Sequence, residues 1–257
     1  MRLPVAIVAS GWQRVWAWAS EEERAWWARW LVSGVIGVLI LLPLDGPIRT
    51  GGGWVGARLG GDLRRELEMA QQYGAVTSLL LIAYVVWMQD AARRARLADF
   101  GAAIAATGLV VLLIKGLVGR VRPRDAMLAE YGHWSFLGPF GAVPGEPGEG
   151  VIRSWQLWAS DVSNIQSMPS SHMAYAVATS VFLIAMYPRL RALLIALPIV
   201  VGLCRIAFGA HWASDVVAGA AVGAIVAQAV VRGALGQRIG ARLRGAQGTE
   251  QPDRSPA

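Results

Sequence analysis

Between Cys204 and Asp215, three side chains carry chemistry that the apolar sequence around them does not: Arg205, His211 and Asp215. On a helix, His211 and Asp215 would share a face. The carboxylate could then hold one ring nitrogen and leave the other as a nucleophile or base. Arg205 adds a fixed positive charge. Taken alone, the triplet reads equally well as an arginine snorkelling at a helix end beside a surface ion pair.

Two other places hold polar residues in apolar surroundings. Lys115 is the only lysine among 24 basic residues. On a continuous helix Arg122 would follow it two turns later on the same face, and Pro123 biases Arg122 out of the helix toward a loop where its fork is available. An ammonium and a guanidinium can together grip one phosphoryl group. The bland alternative, a basic membrane edge of Lys115, Arg120, Arg122 and Arg124, suits Arg120 and Arg124 better than it suits Lys115. Further on, Met168-Pro169-Ser170-Ser171-His172 reads as a helix start, with a serine N-cap and backbone N–H groups pointing outward as an anion site. His172 would sit in the first turn, where a bound phosphate keeps it protonated as a general acid. By itself this motif is more often an ordinary cap. His133, in the longest loop, reads as solvated.

These residues need a scaffold, and composition names its class. The chain is 55% hydrophobic and 16% charged, with positive mean hydropathy, as expected of an integral membrane protein rather than a soluble domain. Twelve tryptophans suit interfacial anchoring. A single cysteine excludes an internal disulfide. The net charge of +7 comes from arginines scattered between apolar spans, which read as topology signals and not as a nucleic-acid stripe. Apolar runs near residues 27–44, 73–89, 100–118, 170–187, 190–208 and 212–231 each approach the roughly 20 residues a helix needs to cross a bilayer. The expectation is an all-α membrane bundle of about six transmembrane helices over residues 1–231, with a Trp-rich, uncleaved interfacial N-terminus. A polar, disordered tail is expected over 232–257. The Gly/Pro/Glu-rich run Gly138–Gly150 reads as a mobile loop too poor in apolar residues to pack. Crossing parity places the end of the third span, the start of the fourth and the junction of the fifth and sixth on one face, and these are the three polar places.

Together, Lys115 with Arg122-Pro123, Pro169-Ser170-Ser171-His172, and Arg205 with His211 and Asp215 resemble the type 2 phosphatidic acid phosphatase superfamily in spacing, order and topology. The resemblance covers roughly residues 100–231. Two departures stand out: Ser171 occupies a position where the family usually has glycine, and Cys204 one where it usually has serine. The first narrows the backbone approach to phosphate, and the second trades a hydroxyl for a weakly bonding thiol. The resemblance implies a mechanism without metal or cofactor. His211, oriented by Asp215, would attack phosphorus and form a phosphohistidine. His172 would protonate the leaving group and then activate water. Lys115, Arg122 and Arg205, with N–H groups near Ser170 and Ser171, would neutralise the equatorial oxygens.

The implied partners are a membrane lipid substrate and the bilayer, with no nucleic acid. A lipid phosphotransferase and a vanadate haloperoxidase are further readings within the family. A six-span transporter binding an anionic solute is the reading from another class. It is disfavoured because transporters gather their binding groups near the bilayer midplane, whereas these residues fall at span ends. The larger share of the arginines lies on the face opposite the motifs. The positive-inside rule then puts both termini in the cytoplasm of a bacterial inner membrane and the site on the extracytoplasmic face.

Overall fold

The computed structural model describes residues 21–124, 135–145 and 150–239. The Trp-rich stretch 1–20, His133 and the tail beyond 239 lie outside the described residues, but the start of the tail is ordered and not disordered as expected: residues 235–239 are helical and Gln237 bonds the Asp99 carboxylate. Among the described residues the helices are α1 (Glu21–Leu41), α2 (Asp45–Arg58), α3 (Gly61–Ala70), α4 (Val76–Gln89), α5 (Leu97–Val118), α6 (Ser171–Met186), α7 (Arg191–Ala207) and α8 (Ala213–Arg232). One antiparallel hairpin, β1 (Ala142–Pro144) with β2 (Val151–Arg153), interrupts the long connection between α5 and α6.

The protein is an all-α membrane bundle, and length and composition alone support four or five of the six expected spans among the described residues. Every apolar run coincides with helix, yet only four stretches are long and apolar enough to cross: Trp26–Arg58, Ala91–Val118, Pro188–Ala207 and Ala213–Arg232. A fifth is reached if Gly61–Gly74 and Val76–Gln89, bent by 66° at their break, count as one. The bend follows from Ala75, which is extended between the two helical pieces. The remaining run became α6, only 16 residues long. It packs against α5, α7 and α8.

The core between α5, α6 and α8 is apolar and fine-grained. Phe100 and Phe182 stack with ring centroids 4.8 Å apart, surrounded by Ala103, Ala178, Ala227 and Val230. On the opposite side of α5, Leu109, Leu113 and Leu117 are more than half exposed, which in a membrane means facing lipid. Close approach of α8 to α6 depends on glycine: a Cβ at Gly223 would lie 2.3 Å from the Ala174 carbonyl oxygen, and one at Gly219 would lie 2.5 Å from that of Ser170.

The connections also depart from expectation. Helix α5 stops at Val118 because Gly119 adopts a left-handed φ of 49° and caps it, its N–H bonding Lys115 O at 3.0 Å. Arg122 therefore lies past the helix and not two turns along it. The run Gly138–Gly150 does pack in part. Val143 and Ile152 of the hairpin are buried against Val121, Ile165 and Trp212, so alternating valine and isoleucine supplied the apolar face that overall composition hid.

Glycine packing gives a first prediction. Gly223→Ala should lower the melting temperature of the detergent-purified protein by roughly 2–12 °C, from an overpacking cost of about 1–3 kcal/mol. Gly101→Ala, at an exposed α5 position with nothing within 4 Å of the added carbon, should not lower it. Equal behaviour of the two variants, measured by scanning fluorimetry, would contradict the packing.

Candidate active site

The chain turns sharply after α7. Gly209 takes a positive φ of 63°, and the N–H groups of Ala210 and His211 both bond Arg205 O, at 3.0 and 3.1 Å. This folds His211 back over the end of α7. His211 is therefore not on the helix with Asp215, as its spacing suggested: α8 begins at Ala213, with Trp212 as its N-cap. The two side chains still meet, for a different reason. Asp215 is in the first turn, and its carboxylate reaches back to accept the Trp212 N–H at 2.9 Å. That same Oδ2 lies 3.6 Å from His211 Nδ1. The Ser167 hydroxyl donates to it and lies 3.5 Å from the same ring nitrogen. With Nδ1 facing the carboxylate, Nε2 is the nitrogen left for chemistry.

Arg120, expected at a basic membrane edge, is instead 2% exposed and sits at the centre of the site. Its Nη1 donates to Asp215 Oδ1 at 2.6 Å and to Ser214 Oγ at 2.7 Å. Its Nη2 donates to Asp45 Oδ2 at 2.7 Å, and its Nε to Ser135 Oγ at 3.0 Å. The guanidinium lies over the rings of Phe136 and Trp212, 4.3 and 5.0 Å from their centroids. Its backbone bridges Phe136 on one side and Gln166 on the other. Arg124, by contrast, is exposed and fits the edge reading.

The phosphate-binding candidates converge on the same end of the bundle. Lys115, in the last turn of α5, is buried and donates its Nζ to the Gln166 carbonyl. Arg122 Nε donates to the Ser163 carbonyl at 2.7 Å. Arg205, in the last turn of α7, donates Nη1 to Gln71 Oε1 at 3.1 Å, and its buried Nε has no partner. Lys115, Arg122 and Arg205 all lie within electrostatic range of the His172 ring, and Arg122 and Arg205 within range of His211.

At the start of α6, Ser170 occupies the N-cap position but makes no capping hydrogen bond, and its buried Oγ has no partner. Its N–H is not available to an anion, because it bonds Asp215 O at 3.0 Å. The first-turn N–H groups of Ser171, His172 and Met173 have no partner inside the helix. Ser171 is the first residue of α6 and is not among the positive-φ residues, so the position makes no demand that only glycine could meet.

Sequence reasoning missed Asp45, Ser167, Gln71 and Ser214 and misplaced Arg120. One signal was present. Asp45 is the only acidic residue between Glu23 and Asp62, and it ends an apolar run, where an unpaired carboxylate is costly.

With the geometry in place, comparison with known proteins decides the family. The family model described as PAP2 superfamily matches residues 96–238. The chain belongs to the PAP2 superfamily. Two similar proteins are each named lipid A 1-phosphatase. One, from Rhizobium johnstonii, is 34% identical over 118 residues, which is 46% of this chain and 39% of the relative. The other, from Rhizobium etli, is 32% identical over 117 residues, 46% of this chain and 41% of the relative. The chain thus matches about two fifths of the length of these relatives. A crystal structure of Aquifex aeolicus LpxE shares the fold, with a TM-score of 0.51 at 17% identity over 75% of this chain and 95% of that one. In this PAP2 chain, all the sequence-derived site residues lie inside the matched segment, whereas Asp45 and Gln71 lie outside it.

Enclosure also sets the charge of His211. Burial pushes its pKa down to about 3, with Asp215 opposing the shift. The ring is therefore neutral at any ordinary pH. The unfolded chain takes up a proton near pH 6.5, so this histidine costs the fold stability as pH falls from about 6.5 toward 3. In protein labelled at histidine Cε1, the resonance that disappears in His211→Gln should stay flat from pH 8 to 4.5. A midpoint between pH 6 and 7 would contradict the burial.

Proposed function

We propose that this PAP2 chain is a membrane lipid phosphatase that cleaves a terminal phosphate through a phosphohistidine at His211. The observation that carries the reading is a pair of buried polar atoms without partners, Ser170 Oγ and Arg205 Nε, in the part of the fold that also buries His211 against Asp215. Buried donors left unpaired are costly unless a ligand completes them, and a tetrahedral oxyanion is the ligand three nearby cations would select.

In this reading the phosphoryl group sits among Lys115, Arg122 and Arg205. His211 Nε2 attacks phosphorus in line while Asp215 holds Nδ1–H. The electron pair of the breaking bond goes to the leaving oxygen, which His172 protonates. His172 then takes a proton from water as the water attacks phosphorus, returning the pair to Nε2 and releasing inorganic phosphate. The three cations neutralise the charge that spreads over the equatorial oxygens. Among the described residues no group of three or more His, Cys, Asp or Glu could hold a metal ion, and fixed cations fill that role in the proposal.

A lipid is the substrate class that fits the surroundings. The reacting groups lie at helix ends: Lys115 and Arg205 in last turns, His172 and Asp215 in first turns. That is headgroup depth, not the midplane of a transporter. An apolar groove of about 770 Å³, lined by Met173, Val177, Ala220, Leu194, Arg191 and Arg232 among others, suits an acyl chain. The relatives' names put lipid A 1-phosphate first among candidate substrates, ahead of phosphatidic acid, phosphatidylglycerol phosphate and polyprenyl diphosphates. The positive-inside rule puts the site on the extracytoplasmic face.

Two experiments test this. Detergent-purified protein should release phosphate from at least one member of that panel with EDTA present throughout, and His211→Ala should lower the rate at least a thousandfold while the protein remains folded. Activity of His211→Ala within tenfold of wild type would sink the mechanism. For the side of the membrane, a lone cysteine at Gly145 in a Cys204→Ser background should react with an impermeant maleimide in intact cells, and one at Gln247 should not. The reverse pattern would place the reaction on the cytoplasmic side.

A further inference from the structure

The charges buried behind His211 do not balance. Asp45 and Asp215, 4% and 0% exposed, share a single guanidinium, that of Arg120. The other partners in the cluster are neutral: Ser214 bonds Asp45 through both its N–H and its hydroxyl, Ser135 bonds Arg120, and Ser167 bonds Asp215. The remaining cations nearby are arranged differently. Arg49 lies over the Trp212 ring at 5.9 Å. Lys115 is within range of Asp215, and Arg122 and Arg205 within range of His211, but these three belong to the phosphate side, where the substrate's own charge answers them. Two carboxylates against one guanidinium leave one net negative charge behind a neutral ring.

We infer that Asp45 is a positioning residue for phosphoryl transfer: by sharing Arg120 with Asp215 it leaves the buried cluster one net negative charge for the imidazolium that forms when His211 becomes phosphorylated. The inference rests on the phosphohistidine reading. When Nε2 bonds phosphorus the ring keeps its Nδ1 proton and becomes cationic, while the broken bond's electron pair leaves with the departing oxygen. A cation created in a buried site is stabilised only by charge already in place. If Asp215 were paired with Arg120 alone, the cluster would be neutral before attack and positive after it. With Asp45 present, it is negative before and neutral after. The interaction therefore grows along the reaction coordinate, which is the condition for lowering the barrier and not merely for binding substrate.

The position of Asp45 adds a consequence for the fold. It is the first residue of α2, outside the segment 96–238 that the family model matches. Helices α1 and α2 thus contribute to the catalytic apparatus of the matched segment through one carboxylate, and the Ser214 N–H at the start of α8 fixes its place at 3.0 Å.

Rapid-quench measurement of the phosphoenzyme separates this role from a structural one. Wild-type protein should show phosphate bound to His211; if it shows none, the phosphohistidine reading fails, whatever Asp45 does. Given a wild-type phosphoenzyme, Asp45→Asn should slow its formation at saturating substrate at least tenfold, with KM within threefold and the protein still monodisperse. Ser214→Ala, which removes hydrogen bonds from the same cluster but no charge, should lose less than Asp45→Asn. The double variant Asp45→Asn with Arg120→Gln restores one net negative charge and should react at least threefold faster than Asp45→Asn alone. If Asp45→Asn does not fold, the double variant is compared with wild type and should form phosphoenzyme within a hundredfold of its rate. A phosphorylation rate in Asp45→Asn equal to wild type would overturn the inference. So would a larger loss in Ser214→Ala, a double variant no faster than Asp45→Asn, or a loss beyond a hundredfold when only the double variant folds.

Discussion

A carboxylate with no exposure to solvent has to be paired, and Asp215 is paired with Arg120. That requirement organises the catalytic end of the molecule. To deliver its guanidinium to the first turn of α8, Arg120 must leave α5 at the Gly119 cap and run as an extended segment, its backbone held between Phe136 and Gln166. The same segment draws in Val121, whose carbonyl accepts the Trp212 indole N–H at 2.8 Å, and Arg122, whose N–H bonds Asn164 O at 2.8 Å. Ser167 N bonds Arg120 O at 2.9 Å, which fixes the approach to the start of α6. The second arm of the guanidinium holds Asp45 and with it the start of α2. A buried ion pair of this kind is weak evidence for stability, since desolvation offsets much of its attraction. Its effect is on geometry: five separate parts of the chain are placed relative to one charged group.

Much of the site was legible because its chemistry sits in apolar surroundings. Lys115, His172, Arg205, His211 and Asp215 were conspicuous as polar residues in or beside membrane runs, where desolvation makes an idle charge expensive. Crossing parity then brought their helix ends to one face without reference to any three-dimensional contact, and the helices do end there. What failed was reasoning that extended helix geometry past a breaker. The helical offset between His211 and Asp215 gave the right neighbours for the wrong reason, since the contact is made by a capping carboxylate and a turn at Gly209. Helical spacing likewise could not carry Lys115 through Gly119 to Arg122. Arg120 carries no local mark of its role, because its partner, Asp45, is 75 residues away and no sequence pattern links the two. The run at 170–187 forms a helix of only 16 residues packed among α5, α7 and α8, and the one at 73–89 follows a bend at Ala75; apolar length alone marks neither departure.

The two sides of His211 do different work in this account. Behind Nδ1, a rigid set of carboxylates, hydroxyls and one guanidinium fixes the tautomer and supplies negative charge. In the proposed mechanism Lys115, Arg122 and Arg205 would supply positive charge to an oxyanion at Nε2, together with Ser170 Oγ and the first-turn N–H groups of α6. On that reading the ring lies between opposite fields, and moving a phosphoryl group onto it would reduce the imbalance on both sides. Membrane packing provides the dry surroundings that make such fields effective, while the helix ends keep the reacting atoms at headgroup depth.

The arrangement is tested most directly by a structure of the detergent-purified chain with orthovanadate, which mimics a phosphoryl group in transfer. The account predicts vanadium bonded to His211 Nε2, with its oxygens contacted by Lys115, Arg122, Arg205 Nε and Ser170 Oγ, and with Asp215 retained on Nδ1. Vanadate bound to another residue, or seated among the cations with His211 turned away, would contradict it.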